Sequence, residues 1–246
     1  MLFLQKSKIL ANPCFRFKQF IIRQDKTAMK VGTDGVLLGA WADVSQAKRI
    51  LDVGTGTGLI AIMMAQRSSA EIHAIEPESK AFEQAVNNVN NSPWPDRIHL
   101  SQVNFQEYIQ QTAHGFDLVV SNPPYFKNSL QSPKEERNQA RHARTLTGGD
   151  LIQGSLKIMN EKGRLSLILP CNEGLEFTKI AGQQGLRCSR KTYVKSIPDK
   201  EPKRVLMEFS RESLETIEDY LIIEKGGRHN FTEEYRNLTR DFYLYF

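Results

Sequence analysis

The chain has 246 residues, 40% of them apolar and 9% aromatic, enough for a sizeable core in one large domain and too many for a disordered protein. No stretch approaches the roughly 18 uncharged apolar residues of a membrane-spanning helix, so no membrane partner is expected. The net charge of +5 is localised: residues 1–30, 127–144 and 187–204 carry +6, +3 and +5, leaving −9 for the remainder, a distribution suited to a polyanionic partner.

In chain order, Met1–Lys8 lacks a signal-peptide layout, because its charges follow the short apolar patch. Phe15-Arg16-Phe17 and Gln19-Phe20-Ile21-Ile22 alternate enough for a short hairpin, and Asp34–Trp41 reads as a helix capped by Asp34. From Arg49 to Pro170 strand and helix signals alternate. Strands are expected at Arg49–Val53, Glu71–Ile75, Ile98–Val103, Phe116–Ser121 and Arg164–Leu169. Helices are expected at Leu59–Gln66, Glu78–Asn91, Phe105–Gln111 and Gly149–Asn160. Such alternation implies an α/β fold, a mostly parallel sheet with helices on both faces. Beyond Pro170 a helix at Glu173–Gln183 is followed by strand signals at Lys191–Ser196, Val205–Phe209 and Tyr220–Ile223. The Ile197–Pro202 loop joins two of them as an antiparallel pair. The whole chain, 1–246, therefore reads as one domain: an N-terminal extension (1–46), a core (47–170) and a C-terminal part that completes the sheet (171–246). Cys14, Cys171 and Cys188 are odd in number, far apart and without metal-site spacing, which fits reduced thiols in a cytoplasmic protein and no bound metal.

Two motifs carry the chemistry. Asp52-Val53-Gly54-Thr55-Gly56-Thr57-Gly58 follows a strand and opens a helix, where glycines let a ligand approach the backbone and the helix start presents free N–H groups. Glu76 ends the next strand, 22 residues after Gly54, where an acid can accept hydrogen bonds from both ribose hydroxyls. The glycine spacing is not that of a nicotinamide site, since Leu59 holds the third glycine position. The second motif, Asn122-Pro123-Pro124-Tyr125, closes the apolar strand Phe116–Ser121. Its two prolines stiffen the turn, fixing an amide side chain, a carbonyl and an aromatic ring at the edge where α/β sheets bind ligands. That set suits a planar group bearing an NH2.

The Gly-x-Gly-x-Gly spacing with an acid two residues before it resembles the S-adenosylmethionine pocket of class I methyltransferases, a Rossmann-like fold with a seven-stranded sheet. This resemblance places Asp52 near the methionine amino group and Asn104, after the third strand, on the adenine amino group; Asn104 read alone is equally a cap for the helix at Phe105. Phe17-Lys18-Gln19-Phe20, Met29–Trp41, the glycine loop, Asn122–Phe126 and, thinly, Glu234–Leu244 resemble the bacterial valine-tRNA adenine-N6 methyltransferases. The resemblance implies methylation of N6 of adenosine 37, beside the anticodon, with S-adenosylmethionine as cofactor and tRNA as partner. It implies that Val31-Gly32-Thr33-Asp34 covers the methionine end of the cofactor; read alone, those residues are a glycine turn and a helix cap. Asn122 and the Pro123 carbonyl would hold the amine, and Pro124 and Tyr125 would complete the turn, Tyr125 stacking on the base. Lys134, Arg137, Arg141 and Arg144, spaced three, four and three apart, would share one face of a helix and grip RNA. The oligomeric state is not readable, and a monomer is the expectation. The motif leaves open a protein glutamine-N5 methyltransferase acting on release factors, an rRNA or DNA amino-group methyltransferase, and a non-catalytic tRNA-binding protein. Asp52, Glu76 and Asn122 being intact argues against the last.

Overall fold

A computed structural model of the chain describes residues 12–27, 30–113, 115–123, 146–212 and 215–246. The apolar runs of the middle of the chain form five adjacent parallel strands. These are β3 (Arg49–Val53), β4 (Glu71–Ile75), β5 (Ile98–Ser101), β6 (Phe116–Ser121) and β7 (Met159–Pro170). They read as nearly continuous apolar runs because both faces of the sheet are covered. Along β6, Leu118 and Val120 enter one core layer while Phe116 and Val119 enter the other.

β8 (Arg187–Lys195), β9 (Arg204–Ser210) and β10 (Ile217–Ile222) extend the sheet, in the order β10-β8-β9-β7-β6-β3-β4-β5. Only β9 is reversed, antiparallel to both β7 and β8, while β10 lies parallel to β8 on the edge. The α/β fold therefore holds, with one strand more than the seven that the resemblance implied. The first four residues of β10 are exposed, so the strand adds an edge without adding much core.

On one face lie α1 (Thr33–Trp41) and α2 (Leu59–Arg67), with α3 (Ser79–Asn90) beside them. The other face is covered by α4 (Phe105–Gln111), α5 (Gly148–Ile158) and α6 (Cys171–Gln183). α1 is buried from Gly35 to Trp41, and Gly39 is what lets it sit so close to α2: a methyl group there would lie 2.6 Å from Met63 Sδ. Both ends of α1 are fastened to the C-terminal strands. The Arg204 guanidinium meets the Asp34 carboxylate at 2.8 Å, and Arg190 stacks on the Trp41 ring at 3.7 Å while Trp41 Nε1 donates to Thr192 Oγ1. Asp34 is thus not the cap of this helix. Gly32 is the N-cap, without a side-chain bond, and the Asp34 side chain is drawn away to Arg204.

α7 (Glu233–Thr239), capped by the Thr232 hydroxyl, was not legible as a helix; of its seven residues only Tyr235 and Thr239 are buried. Tyr235 joins Phe231, Tyr243 and Phe246 in an aromatic cluster that reaches Phe15 and Phe17 at the N-terminal hairpin. Among the described residues no helix is long and apolar enough to cross a membrane.

The hairpin, β1 (Cys14–Arg16) and β2 (Ile21–Arg23), is tied to α3 by two amide side chains, Gln84, which accepts Lys26 N–H, and Asn88. Asn88 of α3, 1% exposed, accepts from Arg23 N–H and donates to both Arg23 C=O and Thr57 C=O. Truncation leaves three backbone groups unpaired in a closed space, and each such group costs about 1–3 kcal/mol. Asn88→Ala is expected to lower the free energy of unfolding by about 2–3 kcal/mol in urea titration and to expose the hairpin to protease before the rest of the chain.

Candidate active site

From β3 the chain winds outward through β4 to β5, whereas β6 and β7 lie on the other side of β3. The carboxyl ends of β3 and β6 therefore flank the point where the sheet reverses direction, the place where an open α/β sheet has a crevice. Ser121 Oγ donates to Val53 C=O at 2.9 Å and ties these two strand ends together. The loop after β3 bends over the end of β4, with Gly54 N–H and Thr55 N–H both donating to Ile75 C=O at 3.0 Å.

That bend needs left-handed backbone at Gly54, Gly56 and Gly58, with φ of +74°, +57° and +81°. The three glycines face different surroundings. Nothing lies within 4 Å of where a side chain would start at Gly54 and Gly56, so the loop faces open space there. A methyl group on Gly58 would instead touch Val89 and Ala85 of α3 at the ordinary contact distances of 3.5 and 3.6 Å, so what this position demands is its left-handed backbone.

Asp52 lies beneath the loop and is fully buried. Its Oδ2 accepts from Thr55 Oγ1 at 2.6 Å and from Ala61 N–H, in the first turn of α2, at 3.1 Å. Oδ1 is buried and has no partner among the described residues, which leaves it open to a donor. Burial drives the carboxyl up to about 7; the two hydrogen bonds oppose this, and the nearby Glu76 charge adds to it. Glu76, at the end of β4, accepts Gly56 N–H on Oε2 and Glu78 N–H on Oε1, both at 3.0 Å. Each oxygen keeps lone-pair capacity toward the crevice.

Asn122 follows β6, partly exposed, with Pro123 buried behind it. A methyl group on Gly35 would come within 3.9 Å of Asn122 Nδ2 and 3.2 Å of Leu59 Cδ2, so the start of α1 lies against the Asn122 amide. The segment Val31–Asp34 that leads into α1 is held from the hairpin side: Val31 N–H donates to Gln24 Oε1, and Gln24 Nε2 donates to Asn12 C=O. Asn104 takes the simpler of its two readings. Its Oδ1 accepts Glu107 N–H at 2.8 Å as the N-cap of α4. Pro124, Tyr125 and Phe126, and the basic set Lys134, Arg137, Arg141 and Arg144, lie outside the described residues.

The structure thus brings Asp52, Gly54, Gly56, Glu76 and Asn122 to one sheet edge, with Gly32–Asp34 beside Asn122. Residues the motifs did not point to also build the site: Gly35, Gln24, Asn88 and Arg204. Gln24 acts on Val31 from seven residues away, but Asn88 acts on Arg23 from 65 and Arg204 on Asp34 from 170. No local pattern marks such residues.

Comparison with known proteins agrees with this geometry. Residues 29–180 match the family described as methyltransferase small domain. A tRNA1(Val) (adenine(37)-N6)-methyltransferase from Parabacteroides distasonis is 46% identical over 96% of this chain and 99% of its own length. One of the same name from Trichodesmium erythraeum is 46% identical over 94% of this chain and 97% of its own length.

The chain belongs to this family of tRNA1(Val) (adenine(37)-N6)-methyltransferases.

Among solved structures, a predicted O-methyltransferase from Agrobacterium tumefaciens superposes with a TM-score of 0.67 at 23% identity, covering 85% of this chain and 96% of that one. P. horikoshii TYW2 in complex with MeSAdo gives a TM-score of 0.56 at 13% identity, covering 81% and 71%. Both share the fold. The family match begins at Met29, just before the segment that enters α1, and ends within α6, so it spans the whole crevice.

The raised Asp52 carboxyl has a sign that can be measured. The folded protein holds this proton up to about pH 7, whereas the unfolded chain releases it near pH 4. Between those values the native state binds more protons than the unfolded one, so Asp52 makes stability fall as pH rises through this window. Asp52→Asn, which cannot ionise, is expected to flatten that part of the stability profile in denaturant titrations at pH 4 to 8.

Proposed function

We propose that this protein transfers a methyl group from S-adenosylmethionine to N6 of adenosine 37 in a valine tRNA. One observation supports this reading above the others: the glycine loop, Glu76 and Asn122 converge at the carboxyl ends of β3, β4 and β6, in a chain 46% identical to proteins of that name. The residues fit the cofactor. Open space over Gly54 and Gly56 admits a ligand to the backbone, and the unpaired Asp52 Oδ1 lies under the same loop.

In this reading Glu76 accepts the two ribose hydroxyls, and Asp52 and the segment Val31-Gly32-Thr33-Asp34 hold the methionine end. Gly54 and Gly56 allow close approach; Gly58 makes the left-handed turn into α2, whose first turn faces the ligand. Asn104, with Oδ1 engaged in its cap, has its NH2 to offer the adenine ring. S-adenosylmethionine supplies the methyl group on a sulfonium whose departure leaves a neutral thioether.

The chain's part is to make a poor nucleophile attack. The exocyclic nitrogen of adenine has its lone pair delocalised into the ring. Asn122 Oδ1 and the Pro123 carbonyl accept its two hydrogens, which favours a tetrahedral nitrogen with the lone pair directed along the transfer line. Positioning and electrostatics of this kind supply most of the acceleration; the methylated nitrogen then loses its extra proton to water, so no general base is assigned. Pro124 fixes the turn and Tyr125 stacks on the base, worth roughly 1–3 kcal/mol for a base on an aromatic ring. Lys134, Arg137, Arg141 and Arg144 bind tRNA phosphates. The enzyme works as a monomer in the cytoplasm.

The test is methyl transfer from labelled cofactor to unmodified valine tRNA, with bulk protein, rRNA and DNA as competing acceptors. Label in the tRNA at adenosine 37 is the expected product; label in protein would make the glutamine reading correct instead. Asn122→Ala is expected to lower kcat by about 10²–10³, the range for removing a group that stabilises developing charge. Glu76→Ala is expected to weaken cofactor binding about 10- to 100-fold by calorimetry, corresponding to the loss of hydrogen bonds to a charged group.

A further inference from the structure

The third basic segment, residues 187–204, lies far from the crevice in sequence but ends at the same sheet edge. β8 and β10 run parallel to each other, and their register continues past the strands, with Ile223 N–H donating to Lys195 C=O and Glu224 N–H to Ser196 C=O. The loops 196–203 and 224–231 therefore leave the sheet side by side. Lys203 and Arg204 return the chain to β9 opposite the end of β7, and Arg204 reaches Asp34 beside the crevice. From β6 to β10 there are four strand spacings, roughly 20 Å.

One face of this edge combines aromatic rings and cations. Tyr193 and Tyr220 are register partners, stacked with centroids 5.4 Å apart and planes 29° apart, and Tyr220 is 63% exposed. Lys195 Nζ lies 5.5 Å from the Tyr220 ring centre. Farther back on the same face Lys191 is neutralised by Glu218 at 3.0 Å. At the carboxyl end Lys195, Lys200, Lys203, Lys225 and Arg228 stand against Asp199, Glu201 and Glu224, a net charge of +2. None of these cations has a carboxylate within ion-pair distance among the described residues, and Glu224 spends one oxygen on His229 N–H. Ile222 is the one aliphatic side chain that the two strands contribute to this face, too little for an apolar protein seam.

We propose that the Tyr193–Tyr220 stack and the loops 196–203 and 224–231 form a second RNA-contact surface, which holds the body of the tRNA while its reacting base occupies the crevice. This rests on tRNA being the substrate. The exposed Tyr220 ring takes the face of an unpaired base or a ribose, and the lysines meet phosphates along a path that continues from the crevice. Exposed rings flanked by cations are the usual form of a surface that binds RNA without reading its sequence.

The test uses unmodified valine tRNA transcript, the full-length protein, and the variants Tyr220→Ala and Lys200→Gln/Lys203→Gln/Lys225→Gln. Direct binding is measured as a function of salt, alongside steady-state methylation. Each variant is expected to weaken tRNA binding, and to raise KM for tRNA, about tenfold, with kcat at saturating tRNA, cofactor affinity and thermal midpoint preserved. The triple variant is also expected to flatten the slope of log K against log salt by about two, as loss of about three phosphate contacts requires; Tyr220→Ala leaves the slope unchanged. Unaltered tRNA affinity and salt slope in both variants would overturn the surface. A wild-type enzyme that binds this tRNA but methylates a different acceptor would overturn the proposed function instead, and the binding data would still decide whether the surface exists.

Discussion

The turn from β3 into α2 sets the coordinates of the site, and the buried Asp52 carboxylate closes that turn. With Oδ2 it holds the Thr55 hydroxyl and the Ala61 N–H, the two sides of the loop, and so fixes where Gly54 and Gly56 face. A carboxylate without solvent is expensive to maintain, which is why its proton is held up to about 7. A Ser or Asn in that place could make the same two bonds without this cost. What an acid adds is a second oxygen, Oδ1, buried and without a partner among the described residues. The cost makes sense if that oxygen meets a cation, because a buried charge stops being a liability once it has a partner. In the proposed function that partner is the amino group of the methionine moiety.

Around this turn the site is assembled by bonds between neighbouring strand ends. Ile75 C=O receives two N–H groups of the loop, Glu76 receives a third from Gly56, and Ser121 ties β6 to Val53. Glu76 is thereby preset by the glycine loop, and the Asn122 turn is anchored to the same strand. The start of α1 completes the arrangement from the opposite side, held by Gln24 from the hairpin and by Arg204 from β9. Segments from both ends of the chain therefore position an N-terminal motif over a central one.

This division explains what was legible in the sequence. The glycine loop, Glu76 and Asn122 are each read from a strand end and its following turn, and short-range chemistry places them correctly. The strands from Arg49 to Ser121 are legible because a two-sided sheet demands unbroken apolar runs; β7 starts at Met159 and runs through the polar Glu161-Lys162-Gly163, so only its Arg164–Leu169 part is marked by apolar pattern. β10 was read as Tyr220–Ile223 and is longer, since most of it is exposed and carries no apolar pattern. α7 is held by an aromatic cluster drawn from both chain ends, which no local window contains. Asp34 looked like a cap because nothing nearby signals an arginine 170 residues away. Gly58 shares the left-handed backbone of Gly54 and Gly56, and differs from them in facing Ala85 and Val89 of α3 rather than open space. Asn104 has the residue type of a cap and acts as one.

The same long-range ties bear on how a weak nucleophile is activated. Holding the N6 amine with two acceptors works only if those acceptors do not yield, because a displacement of a few tenths of an ångström loses the lone-pair alignment that the acceptors create. Asn122 is a partly exposed amide at a strand end, a place where side chains ordinarily move. Here it is backed by a buried proline, by β6 pinned to β3 through Ser121, and by the first turn of α1 at Gly35. α1 stays there because Arg204 and Arg190 grip its two ends, and a methyl group on Gly35 would press on Leu59 Cδ2 at 3.2 Å rather than on Asn122, 3.9 Å away. Rigidity of the acceptor thus comes from the packing of a whole helix rather than from the four-residue motif. Motif-bearing chains that lacked this backing would bind the amine yet align it poorly, and would lose kcat more than affinity.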